Sequence, residues 1–197
     1  MAKITAETVK ALRELSGAGV MECKRALEET DGDIEKAAAI LKERGQAAAQ
    51  KRAGREANEG QIGHYIHTGA KIGVLIEVNC ETDFVARTDE FQKLVRDLAI
   101  QVAGLRPLYP TVESIPAADL EAKKTALLAD QATLAKPEAI RGQIVEGQLK
   151  KWFAEVVLLE QPFRDQDRSV GQLVTEAIAK TGENIKVRRF VRFELGE

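Results

Sequence analysis

Apolar positions recur along this chain with two periods, and the changes of period divide it. Over the first 45 residues the period is helical. Val9, Leu12 and Leu15 follow Thr5, a residue suited to cap a helix N-terminus. "SGAG" at 16–19 breaks that pattern, and Met21, Ala26 and Leu27 resume it in a second helix. "DGD" at 31–33 is a stop-and-start signal: Gly32 suits the left-handed exit and Asp33 the next cap. Ile34, Ala37, Ala38 and Leu41 then mark a third helix, expected to end at Gly45. So small a bundle is marginal alone and should rest on the remaining chain or on a partner.

Residues 46–60, "QAAAQKRAGREANEG", carry no large apolar side chain and read as a linker with room for some helix. The period then drops to two. "GQIGHYIH" sets Ile62, His64 and Ile66 against Gly63, Tyr65 and His67; "TGAK" turns the chain; "IGVLIEVN" puts Ile72, Val74, Ile76 and Val78 on one face of a second strand. Past "NCETDFVART" (79–88), Asp89 and Gln92 resemble a capping box. The helix they would open has a stripe of Phe91, Leu94, Val95, Leu98, Val102 and Leu105. "RPLYP" at 106–110 ends it.

The chain is helical again from about 116 to 160, punctuated by Pro137, and its last helix is marked by Leu149, Trp152, Phe153, Val156 and Leu159. A loop at 161–167, a short helix through 170–180 and a "KTGEN" turn lead to "IKVRRFVRFEL". There Ile185, Val187, Val191 and Phe193 share one face, with Arg189 interrupting. This third strand should pair with the 61–79 hairpin across a long sequence gap, which makes 61–197 one domain. The expected class is α+β: a three-helix bundle at 1–45, a linker at 46–60, and a small antiparallel sheet with helices on one face.

One stretch resists a purely structural reading. At the end of the second strand, Asp83 stands beside Phe84 where the chain should turn into solvent. Local physics leaves two arrangements. Phe84 packs inward while Asp83 caps the next helix, or the pair projects as a wedge for a partner's pocket. A Phe buried in such a pocket contributes about 1.5–3 kcal/mol, enough to anchor a small interface.

Composition narrows the function. With 197 residues, 44% of them hydrophobic, the chain can bury a real core, and with a net charge of −2 nothing marks the whole chain as a nucleic-acid or membrane-surface binder. No run approaches the roughly 20 apolar residues of a membrane span, and "MAKITAETVK" lacks the apolar stretch of a signal peptide. Cys23 and Cys80 lie far apart and read as small buried residues in a reducing cytoplasm. His64 and His67 would point to opposite faces of a strand, so they cannot converge on a metal. Neither a phosphate-cradling glycine loop nor a serine nucleophile elbow is present. No catalytic residue, metal or cofactor is expected, and binding is what remains.

Two long stretches, "LRELSGAGVMECKRAL" (12–27) and "EVNCETDFVAR" (77–87), resemble signature motifs of the bacterial elongation factor Ts family. "GDIEKAAAILKERG" (32–45), "LLEQPF" (158–163) and "ENIKVRRFVRFELG" (183–196) extend the resemblance over nearly the whole chain. It implies a guanine-nucleotide exchange factor for elongation factor Tu, with an N-terminal bundle of the ubiquitin-associated type that docks on the nucleotide-binding domain of that GTPase. The family's wedge falls here on Thr82, Asp83, Phe84 and Val85. In relatives its insertion displaces a helix beside the nucleotide and disturbs the bound magnesium ion. Arg13, Met21 and Lys24 lie where family members contact the partner. The chain resembles the short forms, which are expected to associate as homodimers. The C-terminal strand is a candidate seam, since Phe190 faces opposite to Val191, and no cysteine in 183–197 can make that seam covalent.

Two readings compete. One is an RNA-associated translation protein using Lys51, Arg52, Arg55, Arg188, Arg189 and Arg192, although no aromatic near the linker is placed to stack on bases. The other treats the bundle as a general peptide or ubiquitin binder, on fold analogy alone. Neither a membrane nor direct nucleic-acid contact is expected.

Overall fold

The computed structural model describes residues 4–164 and 168–197; positions 165–167 of the 161–167 loop lie outside the described residues. Helix α1 (Ala6–Ser16) starts where the Thr5 hydroxyl oxygen accepts the Thr8 N–H, while the Thr8 hydroxyl oxygen accepts the Thr5 N–H. It stops at Gly17, whose φ of 67° is left-handed and whose N–H donates to the Arg13 carbonyl at 2.8 Å. Helix α2 (Val20–Glu29) follows, and Asp33 opens α3 (Ile34–Arg52) by accepting the Lys36 N–H at 3.0 Å. The three helices enclose Leu12, Cys23, Ala26, Leu27, Ala37 and Leu41. Leu15 and Met21, which continue the apolar spacing in sequence, lie outside this core and are exposed.

Helix α3 does not end at Gly45. It runs seven residues further, so the first half of the 46–60 stretch is helical. Ala47, Ala48 and Ala49 are strong helix formers. Gly45 itself serves packing rather than termination: a Cβ there would stand 3.5 Å from the Ala179 methyl.

Three strands, β1 (Glu59–Ile66), β2 (Ile72–Cys80) and β3 (Lys186–Glu194), form an antiparallel sheet in the order β1-β2-β3. Between β2 and β3 come the single-turn α4 (Asp83–Ala86), then α5 (Asp89–Leu105), α6 (Ala117–Ala129), α7 (Gln131–Leu134), α8 (Glu138–Val156) and α9 (Val170–Thr181). The class is α+β. Asp89 is not the cap of α5. Thr88 takes that role, its hydroxyl oxygen accepting the Phe91 N–H at 3.3 Å, and Asp89 sits in the first turn.

The chain falls into two compact units. One comprises Met1–Gln61, Val78–Leu94 and Leu173–Lys186, and the other Ile62–Glu77, Val95–Gln172 and Val187–Glu197. In the second unit Val74, Ile76, Val95, Leu98 and Val102 are buried. A Cβ at Gly63 would lie 2.2 Å from Val95 Cγ1, so α5 can cross β1 this closely only over a glycine. That contact fixes the register of the face. Gly63 turns inward, and Ile62 and Ile66 turn to solvent.

The β3 stripe expected from sequence divides. Ile185 and Val187 are buried, whereas Val191 and Phe193 are exposed. Beyond Val187 it is the even-numbered side that is covered: Phe190 is half-buried, and Arg192 lays its stem inward, donates to the Ala103 carbonyl at 3.3 Å and pairs with Glu194 and Glu197. Elsewhere in this unit the buried Gln161 side chain ties three segments together. It accepts from the Gln101 amide at 3.2 Å and donates to the carbonyls of Glu155 (2.9 Å) and Leu105 (3.3 Å). Gln161 of "LLEQPF" is therefore structural in its contacts.

Candidate functional site

Strand β2 ends buried at Cys80, and the chain leaves it through Glu81 and Thr82. Thr82, in an extended conformation, caps α4: its hydroxyl oxygen accepts the Val85 N–H at 3.3 Å. Asp83 is not the cap. Its carboxylate meets Arg87 one turn later at 2.8 Å, with both side chains largely exposed. Val85 takes the inward position at 5% exposure, and Phe84 stands in solvent at 76%. The short helix thus divides its two large apolar residues, one holding the tip to the body and the other projecting from it.

The base of the tip is fastened from several directions, all within the first unit. The Thr82 hydroxyl donates to Glu183 Oε1 at 2.6 Å, and the backbone N–H groups of Glu81 and Thr82 both donate to Glu183 Oε2, at 3.1 and 3.0 Å. In return the Glu81 carboxylate accepts the Asn184 N–H at 2.7 Å and pairs with Arg55 at 3.4 Å. The buried Asn184 amide donates to the Arg55 carbonyl at 2.7 Å. The Cys80 thiol donates to the Thr82 carbonyl at 3.1 Å, and burial, then the nearby Glu183 carboxylate, push its pKa up to about 11. A protonated, enclosed thiol is a structural donor rather than a nucleophile.

Of the bundle residues singled out in sequence, Arg13, Met21 and Lys24 are all exposed, Met21 at 61%. Lys24 meets Glu28 at 3.9 Å. Leu15, which the helical spacing placed among the bundle's apolar positions, and Val20 are exposed on either side of the 16–19 turn and add apolar surface there. In the second unit the outward side chains Ile62, Ile66, Leu75, Val191 and Phe193 make the sheet's open side apolar, with Phe193 at 67% exposure.

The basic residues of the competing RNA reading are largely spoken for. Arg188 and Arg189 both engage Glu77 (3.1 and 2.7 Å), which holds that carboxyl below the usual range, and Arg192 engages Glu194 with the same effect. Among the described residues no group of acidic, histidine or cysteine side chains is arranged to hold a metal, and no helix is long and apolar enough to cross a membrane.

What sequence missed here is chiefly Glu183. It lies 101 residues from Thr82, and no local signal connects the two.

A family profile described as "Elongation factor TS" matches residues 2–197. Among curated relatives, the Elongation factor Ts of Heliobacterium modesticaldum is 56% identical over 195 residues, covering 98% of this chain and 91% of that protein. Those of Carboxydothermus hydrogenoformans and Geobacter sulfurreducens are 55% and 52% identical, each covering 98% of this chain and 90% of the relative.

Proposed function

This chain belongs to the elongation factor Ts family of translation elongation factors, and we propose that it promotes GDP release from elongation factor Tu, with Phe84 as the inserting wedge. The observation that carries this reading is a phenyl ring 76% exposed on a tip whose base is held by hydrogen bonds to Glu183. A ring left in water by a well-fastened loop fits a pocket that belongs to another molecule.

The physical logic needs no catalytic group. GDP is held through backbone amides around its phosphates and through a magnesium ion that offsets their charge. A protein that binds the GTPase more tightly when that site is distorted must weaken GDP by the same coupling free energy with which GDP weakens it. Phe84 supplies the apolar insertion. Asp83 supplies the charge that disturbs the magnesium side, and its exposed pairing with Arg87 costs little to exchange for new partners. Thr82 and Val85 set the geometry from the two ends of the turn.

In this reading the bundle, residues 1–45, docks on the nucleotide-binding domain through Arg13, Met21 and Lys24, with Leu15 and Val20 alongside. A second copy of the chain covers the open sheet side. Val191 and Phe193, rather than the half-buried Phe190, form the seam on β3.

The test is stopped-flow release of fluorescent GDP from elongation factor Tu with and without this protein. Wild type accelerates release, and Phe84→Ala lowers the acceleration on the order of tenfold to a hundredfold, the kinetic equivalent of the contact a buried Phe makes. A Phe84→Ala protein that works as fast as wild type removes the ring from the mechanism.

A further inference from the structure

We propose that Glu183 is a positioning residue for the exchange tip: its carboxylate, reaching in from the turn after α9, sets the direction in which Phe84 projects. The inference rests on the exchange reading above and assigns it a residue that acts through the tip.

A four-residue helix cannot hold its own orientation, because helix nucleation is unfavourable and so short a run closes few internal bonds. Its direction must come from its attachments. Glu183 fixes the attachment through both carboxylate oxygens. Oε2 receives the N–H groups of Glu81 and Thr82, and Oε1 receives the Thr82 hydroxyl. That hydroxyl is the one whose oxygen caps α4 by taking the Val85 N–H. Glu183 therefore orients the cap, the cap orients the turn, and the turn aims Phe84.

The clasp is reciprocal, since the Glu81 carboxylate takes the Asn184 N–H at 2.7 Å. Two residues from each of two chain segments thus exchange side chain for backbone. Charge-assisted bonds of this kind are shorter and stronger than neutral ones. The Cys80 thiol on the Thr82 carbonyl is a further polar tie at the tip's base, from a weak donor. Val85 anchors the tip by packing, which limits how far it lifts but leaves its heading about that anchor to the clasp.

Glu183→Ala and Glu183→Gln separate positioning from bulk stability. The amide of Gln offers one acceptor oxygen for the two N–H groups and one donor for the Thr82 oxygen, so it can keep the geometry. Three readouts decide. In the free protein, amide exchange at Glu81 and Thr82 quickens in Glu183→Ala and stays near wild type in Glu183→Gln. In stopped-flow GDP release, Glu183→Ala lowers the maximal rate on the order of tenfold, the equivalent of one lost charged hydrogen bond, with little change in the half-saturating concentration, since the bundle surface is intact. Glu183→Gln restores most of it. In a Phe84→Ala background the Ala substitution at 183 adds nothing further, because it acts through the ring.

The proposal is overturned by unchanged amide protection in Glu183→Ala, by an undiminished maximal rate, or by additive losses in the double variant. Should Glu183→Ala fold poorly, Thr82→Val, which removes the hydroxyl from the clasp, takes its place under the same criteria. If wild type does not speed GDP release at all, the exchange reading fails by itself, and the amide-exchange result still decides whether Glu183 holds the tip.

Discussion

The tip at Thr82–Val85 and the open side of the sheet both leave apolar side chains in water, but they do so in opposite ways. At the tip there is one ring, Phe84, on a single helical turn held by side chains from a distant segment. On the sheet there are five side chains, Ile62, Ile66, Leu75, Val191 and Phe193, carried by three strands hydrogen-bonded to one another. The tip offers direction with little area, and the sheet offers area with little direction. A lone directed ring suits forced entry into a pocket that must be distorted. A broad regular face suits a permanent neighbour of the same shape, whose gain scales with buried apolar area.

The sharpest way to break that comparison is to remove one ring from each place. Phe84→Ala should cost exchange activity by on the order of tenfold to a hundredfold while leaving association between copies unchanged. Phe193→Asp should do the reverse in first instance: sedimentation at micromolar concentration should show the proposed dimer in wild type and a shift toward monomer in the variant. Burying an unpaired carboxylate in an apolar seam costs several kcal/mol, so the dissociation constant rises at least about a hundredfold. Neither change should lower the melting temperature of the isolated protomer by much, because both rings are exposed. If Phe193→Asp stays dimeric, the seam lies elsewhere. If Phe84→Ala loses its dimer, the tip is not the separate device described.

How far sequence reached follows the same division. Local chemistry made the caps at Thr5 and Asp33 and the break at 16–19 legible, because these residues act on backbone groups within four residues of themselves, although at α5 it pointed to Asp89 where Thr88 is the cap. Amphipathic spacing gave α5 its buried stripe from Phe91 to Val102. The Asp–Phe pair stood out, but its exposure could not be read locally, since whether Phe84 or Val85 turns inward depends on how the turn is seated. Gly45 read as a stop because a glycine after a helical run usually is one, while its actual neighbour, Ala179, is far away in sequence. The strands were found, but the side of β1 that faces α5 was fixed by Gly63 and Val95 coming together, a contact alternation cannot reveal. Glu183 was invisible for the same reason. Long-range polar contacts leave no periodicity behind.

A smaller effect sharpens the account of the tip's base. With a pKa near 11, less than about one Cys80 in several hundred is thiolate at pH 8, and that fraction is also enclosed. Native protein treated with iodoacetamide at pH 8 should therefore carry almost no label on the Cys80 peptide, and denatured protein should be labelled fully. Fast labelling of native Cys80, read by peptide mass, would mean that the strand end beneath the tip opens readily.

The smallest expected effect concerns acid, and it reports on the sheet side. Glu77 is held below the ordinary glutamate range mainly by its hydrogen bond from Arg189, and Glu194 by that from Arg192. A carboxyl whose folded pKa is depressed stabilises the fold above its unfolded value, about 4.3, and that contribution fades as pH falls through the folded value. The melting temperature should thus be flat from neutrality down to about pH 5 and decline below the unfolded value. Glu77→Gln should remove part of the decline and lower the neutral-pH value slightly, since it ends the attraction to two guanidinium groups. Both groups sit near solvent, where salt screens such pairs, so 1 M sodium chloride should shrink the difference between wild type and Glu77→Gln. A Glu77→Gln protein with an unaltered acid limb would show that these pairs are spectators of sheet stability, and that the sheet side stands on its buried residues Val74, Ile76 and Val187 alone.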